Sequence, residues 1–227
     1  MRTPIVIVNF KLYEISIARA LDISKSIEQV SRKLGVEVAL AVPATMIREI
    51  SSNVSLPIYA QHVDDDQLGA HTGSITPELI KEAGARGTLL NHSERRIRLD
   101  QVANVIERLS SLGMDSVLCV DRRELVAPAA LMGPTAVLVE PPELIGSGRS
   151  VSKVRPEIVS ESVKAVKVNQ SVRLIVGAGI STYEDVIKAM ELGADGVGAA
   201  SAVMKSNSPA SVVEEFAKAI RDRRLAP

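Results

Sequence analysis

Three ionisable residues, Lys11, His92 and Glu140, each stand where a short apolar run gives way to polar sequence. Asn9-Phe10-Lys11 follows Ile5-Val6-Ile7-Val8, Asn91-His92-Ser93-Glu94 follows Gly87-Thr88-Leu89-Leu90, and Glu140 follows Ala136-Val137-Leu138-Val139. An ammonium, an imidazole and a carboxylate delivered by three strand ends make an acid-base set. Such a set suits general acid-base proton transfer with positive charge nearby. Singly, each residue has a bland reading: a solvated lysine, a satisfied structural histidine, a glutamate that merely opens a loop before Pro141. Their joint placement carries the expectation.

Glycine-rich stretches supply a second kind of chemistry. Val176-Gly177-Ala178-Gly179-Ile180-Ser181 and Gly196-Val197-Gly198-Ala199-Ala200-Ser201 lack large side chains, so their backbone N–H groups can approach an anion closely. Each alone reads equally as a tight strand-to-helix turn; together they suggest a phosphate pocket. A third segment, Gly146-Ser147-Gly148, follows Glu140-Pro141-Pro142-Glu143-Leu144-Ile145 and precedes Val151-Ser152-Lys153. Rigid prolines at one end and small residues in the middle suit a lid that moves as a body, with the Gly146 amide turned to phosphate.

Residues so far apart in the chain meet only if a scaffold brings strand ends together. Strand candidates lie at 5–9, 37–42, 58–61, 88–91, 116–120, 136–140, 173–177 and 196–199. Helical patterns lie between and after them at 15–34, 44–51, 77–83, 99–112, 122–131, 155–166, 182–192 and 209–221. The strands are short and do not alternate with polar residues, which marks a parallel sheet covered on both faces. Gly35, Gly84, Gly113 and Gly193 each fall just past a helical pattern, where a left-handed residue turns the chain toward the next strand. Eight such units of about 28 residues each fit a (β/α)8 barrel, whose strand carboxyl ends converge on one face and whose last two loops recurrently bind phosphate. A doubly wound open sheet is the competing architecture; against it, no Gly-x-Gly-x-x-Gly opens the first helix.

Composition excludes other classes. The 27 basic residues cancel the 27 acidic ones among 227, so no global field gathers nucleic acid or an anionic membrane, and an anionic ligand must be held locally. The lone cysteine, Cys119, sits in an apolar run and reads as a buried small hydrophobe in a reducing, cytoplasmic setting. The N-terminal residues lack the pattern of a secretory signal. The uncharged stretch 125–139 is too short to span a membrane and is broken by Pro128, Gly133 and Pro134, so a helix, a turn and a strand are expected there. No tight His/Cys/Asp spacing calls for a metal. One catalytic barrel domain over 1–227 is the expectation.

The three motifs Asn9-Phe10-Lys11, Asn91-His92-Ser93-Glu94 and 139–148 occur in the order found in the triosephosphate isomerase family, and the chain resembles the short form typical of archaea over essentially its whole length. The resemblance implies a single (β/α)8 TIM barrel with shortened helices and a homodimeric or homotetrameric enzyme of glycolysis and gluconeogenesis. Without cofactor, it would interconvert dihydroxyacetone phosphate and D-glyceraldehyde 3-phosphate through an enediolate. It makes Lys11 and Asn9 substrate contacts, His92 the electrophile and Glu140 the base, with the following segment closing over the ligand. That family is itself the standard illustration of a catalytic histidine kept neutral by a helix N-terminus, and Ser93 and Glu94 would begin such a turn. By the same resemblance Ser93 holds Glu140 when the lid is open and Glu94 orients Lys11, although structural roles suit both.

Longer family members carry a serine-containing turn after strand seven and a Gly-Gly pair after strand eight. This chain has Gly177-Ala178-Gly179 and Ala199-Ala200-Ser201 instead. Gly179, Ala200 and Ser201, with Ile145 and Gly146 from the lid, are the expected phosphate contacts. His62 reads as support behind the site. His71, in Gly69-Ala70-His71-Thr72-Gly73, belongs to a stretch resembling the loop that family members insert into a second subunit, which implies a dimer. Two alternatives stand beside this reading. Another sugar-phosphate barrel enzyme would want a Schiff-base lysine at a central strand, or histidines and aspartates around the mouth. A phosphate-binding barrel that only senses or scaffolds would keep the glycine loops without needing His92 or Glu140.

Overall fold

The computed structural model describes residues 1–146 and 149–225. Eight strands, β1 (Ile5–Asn9), β2 (Glu37–Val42), β3 (Ile58–Ala60), β4 (Gly87–Leu90), β5 (Asp115–Val120), β6 (Ala136–Val139), β7 (Arg173–Val176) and β8 (Gly196–Ala199), each pair in parallel with the next. Pairing of β8 with β1, Ile5 beside Gly196 and Val6 beside Val197, closes the barrel. The α-helices are α1 (Glu14–Ala18), α2 (Ala20–Leu34), α3 (Ile47–Ser51), α4 (Pro77–Glu82), α5 (Leu99–Ser111), α6 (Val126–Leu131), α7 (Val151–Val154), α8 (Pro156–Val166), α9 (Tyr183–Glu191), α10 (Ser201–Met204) and α11 (Pro209–Leu225). Those after β2, β3 and β5 have only five or six residues.

Side chains of a strand alternate between faces, and here both faces are apolar. Ile5, Ile7, Ala39, Ala41, Tyr59, Leu89, Val117, Cys119, Ala136, Leu138 and Ile175 fill the barrel interior. Val6, Val8, Val38, Leu40, Val137, Val139, Leu174 and Val176 pack outward against the helices. That explains the absence of polar alternation in the sequence. On α2, Ile23, Ile27 and Val30 recur at helical spacing and are buried; each contributes roughly 1.5–3 kcal/mol of apolar burial.

The alternation also sets the floor of the site. Asn9 continues the inward row Ile5, Ile7 of β1. Glu140 continues the row Ala136, Leu138 of β6, and Gly177 the row through Ile175 of β7.

Element positions follow the sequence pattern, with corrections at the ends. Glu140 and Gly177 fall one residue past their strands: their N–H groups still donate to Val120 and Val139 at 2.9 and 3.0 Å, after which the chain turns away. The helix expected over 15–34 is two, because the Ser16 hydroxyl donates to the Phe10 carbonyl and pins α1 to the end of β1, while α2 docks on the barrel after a bend at Arg19. The patterns at 44–51 and 122–131 open with 3-10 turns, Ala44–Met46 and Arg123–Leu125. Pro128 is accommodated in the first turn of α6, where a missing N–H costs little. Gly35, Gly84, Gly113 and Gly193 all have positive φ, as expected of residues that end helices. The stretch 125–139 contains α6, a turn and β6, and among the described residues no helix is long and apolar enough to cross a membrane.

Candidate active site

The corner after β1 is built on a strained residue. Lys11 has φ 47°, in the left-handed region that costs a non-glycine residue roughly 1–3 kcal/mol. Its N–H donates to Asn9 Oδ1 at 2.9 Å, and its ammonium reaches Glu94 Oε1 at 2.6 Å. The lysine side chain is 13% exposed and its partner 60%, so this pair at a wet rim adds little stability. Gln61, just past β3, touches both Asn9 Oδ1 and the Lys11 carbonyl through Nε2, at 3.2 and 3.1 Å.

His92 is aimed by its neighbour. Asn91 has φ 58°, which reverses the strand's alternation so that residue 92 turns back over the barrel mouth. Its side chain donates to the Cys119 carbonyl and accepts from Ile97 N–H, both at 3.2 Å, and its own carbonyl accepts from Arg96 at 3.0 Å. His92 is 7% exposed. The Glu94 N–H donates to His92 Nδ1 at 3.1 Å, which requires a lone pair there: the ring is neutral and carries its proton on Nε2. That N–H belongs to a tight turn, closed by Arg95 N–H donating to the His92 carbonyl at 2.8 Å. The turn expected at Ser93 and Glu94 is thus present, and the helix expected from Leu99 begins there.

Glu140 places Oε2 at 3.4 Å from His92 Nε2, with its side chain 16% exposed. Gly177 makes that position possible, since a Cβ there would sit 2.5 Å from Glu140 Oε1 and 2.6 Å from its Cγ. No hydrogen bond among the described residues joins Ser93 to Glu140; the carboxylate faces the imidazole instead. Beneath them Cys119 is fully enclosed, and burial, reinforced by the Glu140 charge, pushes its thiol well above the usual range, which leaves it an inert packing group.

The opposite wall comes from the last two strands. Ala178 and Gly179 both have positive φ, and Gly179 passes so close to the Arg149 carbonyl that a Cβ could not fit. The buried Asp185 carboxylate accepts from Ser181 N–H and Thr182 N–H, each at 3.0 Å, and pairs with Lys153 Nζ at 2.9 Å. Burial alone would raise its pKa, but the Lys153 ammonium and the two N–H donors hold it below the ordinary carboxylate value. With the Ser181 N–H so engaged, the N–H groups of Gly179 and Ala200 and that of Ser201, first residue of α10, are among the cavity-lining donors without a backbone partner among the described residues.

A cavity of about 260 Å³ joins these groups. Asn9, Lys11, His92, Glu140, Ile145, Gly146, Gly179, Ala200 and Ser201 all line it. Glu94 lies instead on an adjoining groove of about 730 Å³, with His62, which is bonded to Asp64 at 3.1 Å. The middle of the segment expected to form a lid, 147–148, lies outside the described residues; before it runs a 3-10 turn, Pro142–Leu144, and after it α7. His71 is exposed in the loop around it and faces Asp66 at 3.4 Å. Among the described residues no group of three or more His, Cys, Asp or Glu side chains converges as metal ligands.

Sequence reasoning missed several contributors. Gln61 extends the inward row of β3 through Tyr59, a signal that alternation alone could have given. Lys205, whose ammonium lies 5.5 Å from the centre of the Tyr13 ring, lines the cavity with Tyr13 and carries no local sequence signal. Together the site offers a carboxylate base, a neutral N–H donor, an ammonium and backbone amides for an anion.

Comparisons with known proteins point the same way. The profile of the family described as Triosephosphate isomerase matches residues 4–220. The triosephosphate isomerase of Metallosphaera sedula is 56% identical over 217 residues, covering 95% of each chain. That of Sulfolobus acidocaldarius is 56% identical over 219 residues, covering 96% of this chain and 95% of its own. Among solved structures, the crystal structure of triosephosphate isomerase from Bartonella henselae superposes with TM-score 0.70 at 18% identity, over 97% of this chain and 100% of that one, a likeness of fold.

Proposed function

The chain belongs to the triosephosphate isomerase family and is an isomerase of a triose phosphate, and from that premise we propose that it interconverts dihydroxyacetone phosphate and D-glyceraldehyde 3-phosphate through an enediolate. The observation that carries the assignment of roles is the 3.4 Å approach of Glu140 Oε2 to His92 Nε2 in the cavity that also receives the Lys11 side chain.

Glu140 takes the proton from the carbon that bears the hydroxyl and returns it to the neighbouring carbon. His92, with its proton on Nε2, donates to the oxygen where negative charge develops; a preorganised donor of this kind is worth about 3–4 kcal/mol of barrier. Lys11 balances the charge of enediolate and phosphate, and Asn9 shares its corner. The N–H groups of Gly179, Ala200 and Ser201 hold the phosphate, while Ile145 and Gly146 bring the lid over it. Exclusion of water protects the enediolate from losing phosphate. Ser93 and Glu94 support the histidine and the lysine.

The same reading takes residues 1–227 as one catalytic domain working in glycolysis and gluconeogenesis in the cytoplasm. It includes a homodimer or homotetramer. Exposed Leu12 (74%) and Leu68 (71%) support the dimer, with Leu68 on the loop that runs to Gly73 and Leu12 on the groove beside Lys11 that a second copy's loop would fill. The experiment that tests the activity is an assay of purified protein in both directions by NMR of the two triose phosphates, without added metal or nicotinamide. Turnover of both triose phosphates is the expected result, and no turnover in either direction would overturn it.

A further inference from the structure

One amide terminus, Gln61 Nε2, lies within hydrogen-bond distance of three oxygens: the Lys11 carbonyl at 3.1 Å, Asn9 Oδ1 at 3.2 Å and the Ala41 carbonyl at 3.4 Å. Acceptors on all three sides identify that terminus as the NH2 rather than the carbonyl end. The Ala41 carbonyl also accepts from Phe10 N–H at 2.9 Å, so Gln61 grips the ends of β1 and β2 at one point. Both backbone polar groups of the strained Lys11 are thereby held by side chains: its N–H by Asn9 Oδ1 and its carbonyl by Gln61. Asn9 Oδ1 accepts from two donors, Lys11 N–H and Gln61, which fixes its amide orientation and leaves Nδ2 without a hydrogen bond among the described residues. Asn9 lines the cavity; Gln61 stands behind it, on the groove.

We propose that Gln61 is the positioning residue for this corner of the site, fixing at once the left-handed backbone of Lys11 and the amide orientation of Asn9. It acts through these two residues and touches no reacting atom. The inference rests on the reading of Lys11 as the cation that meets substrate. Without the Gln61 donor, no other hydrogen bond among the described residues holds the Lys11 carbonyl against relaxation from φ 47° toward ordinary backbone angles, which swings the ammonium off its line.

Two variants of similar length test this. Gln61→Met removes the donor; Gln61→Glu turns a carboxylate oxygen toward three oxygens that can only repel it. Steady-state kinetics with triose phosphate, competitive inhibition by inorganic phosphate, circular dichroism and thermal unfolding are compared with wild type and Lys11→Met. The expected result is folded protein in which KM and the phosphate inhibition constant rise by about tenfold for Gln61→Met, and kcat/KM falls on the order of 10²-fold. Gln61→Glu is expected to be worse than Gln61→Met. Wild-type KM and kcat in both variants, with Lys11→Met inactive, would overturn the role of Gln61. So would a loss of kcat that merely tracks the unfolded fraction at unchanged KM. Full activity in Lys11→Met would instead remove the reading of Lys11, and the inference with it.

Discussion

The backbone N–H of Glu94 donates to Nδ1 of His92 at 3.1 Å, and this one bond decides which nitrogen of the ring can act on a substrate. With Nδ1 occupied as an acceptor, the proton sits on Nε2, the nitrogen 3.4 Å from Glu140. Nitrogen-15 NMR of the imidazole is expected to show Nδ1 unprotonated and Nε2 protonated near neutral pH. A ring protonated on Nδ1 would contradict the role of His92 as a neutral donor.

Gly177 is expected to matter for rate more than for stability. The three atoms nearest to a methyl group added there all belong to the movable side chain of Glu140, with Oε1 at 2.5 Å, so the carboxylate yields and the fold is kept. Gly177→Ala should therefore lower kcat by about 10²-fold, the usual consequence of displacing a reacting group by about an ångström, with little change in melting temperature. Unchanged kcat would mean that the Glu140 position is not set from β7.

Much of this geometry was legible in the sequence, because a parallel barrel turns chain order into spatial order. Once the strands were placed, Lys11, His92 and Glu140 had to open on one face. What stayed hidden depends on single backbone angles and on convergence in space. The left-handed Lys11 has no signature in a lysine at a strand end, and an asparagine gives only a weak one for Asn91. Gln61 was passed over because its significance lies in three oxygens from other segments. The helices α7 and α10, four residues each, are too short to show a helical period.

Asp185 ties the loop after β7 to the base of the lid through Lys153, and its link to stability has a definite sign. A carboxylate held below its ordinary value of 3.8 stabilises the fold fully above that pH and loses the contribution as pH falls through its lowered folded value. Asp185→Asn should cost about 2 kcal/mol at pH 7, since one of its ends then presents a donor to donors. The difference from wild type, read by urea unfolding, should shrink below about pH 4. A gap independent of pH would contradict the role of the charge.

Leu68, 71% exposed at the tip of its loop, should be covered by a second copy. Sedimentation equilibrium is expected to find wild type as a dimer or tetramer and Leu68→Glu as a monomer at micromolar concentration, because a carboxylate pressed into the groove beside Leu12 and Tyr13 is left without a partner. Lower activity in the monomer would follow, as the groove adjoins Lys11. A wild-type monomer would contradict the interface.

Proton transfer through Glu140 is tested most directly by isomerising dihydroxyacetone phosphate in D2O and reading the product by NMR or mass spectrometry. Wild type should deliver glyceraldehyde 3-phosphate with deuterium at C2, because the proton taken by Glu140 exchanges with solvent before it is returned. Glu140→Asp should do the same on the order of 10²-fold more slowly, and Glu140→Gln should do neither. Unlabelled product formed at the full rate, or deuterium uptake undiminished in Glu140→Gln, would contradict the account.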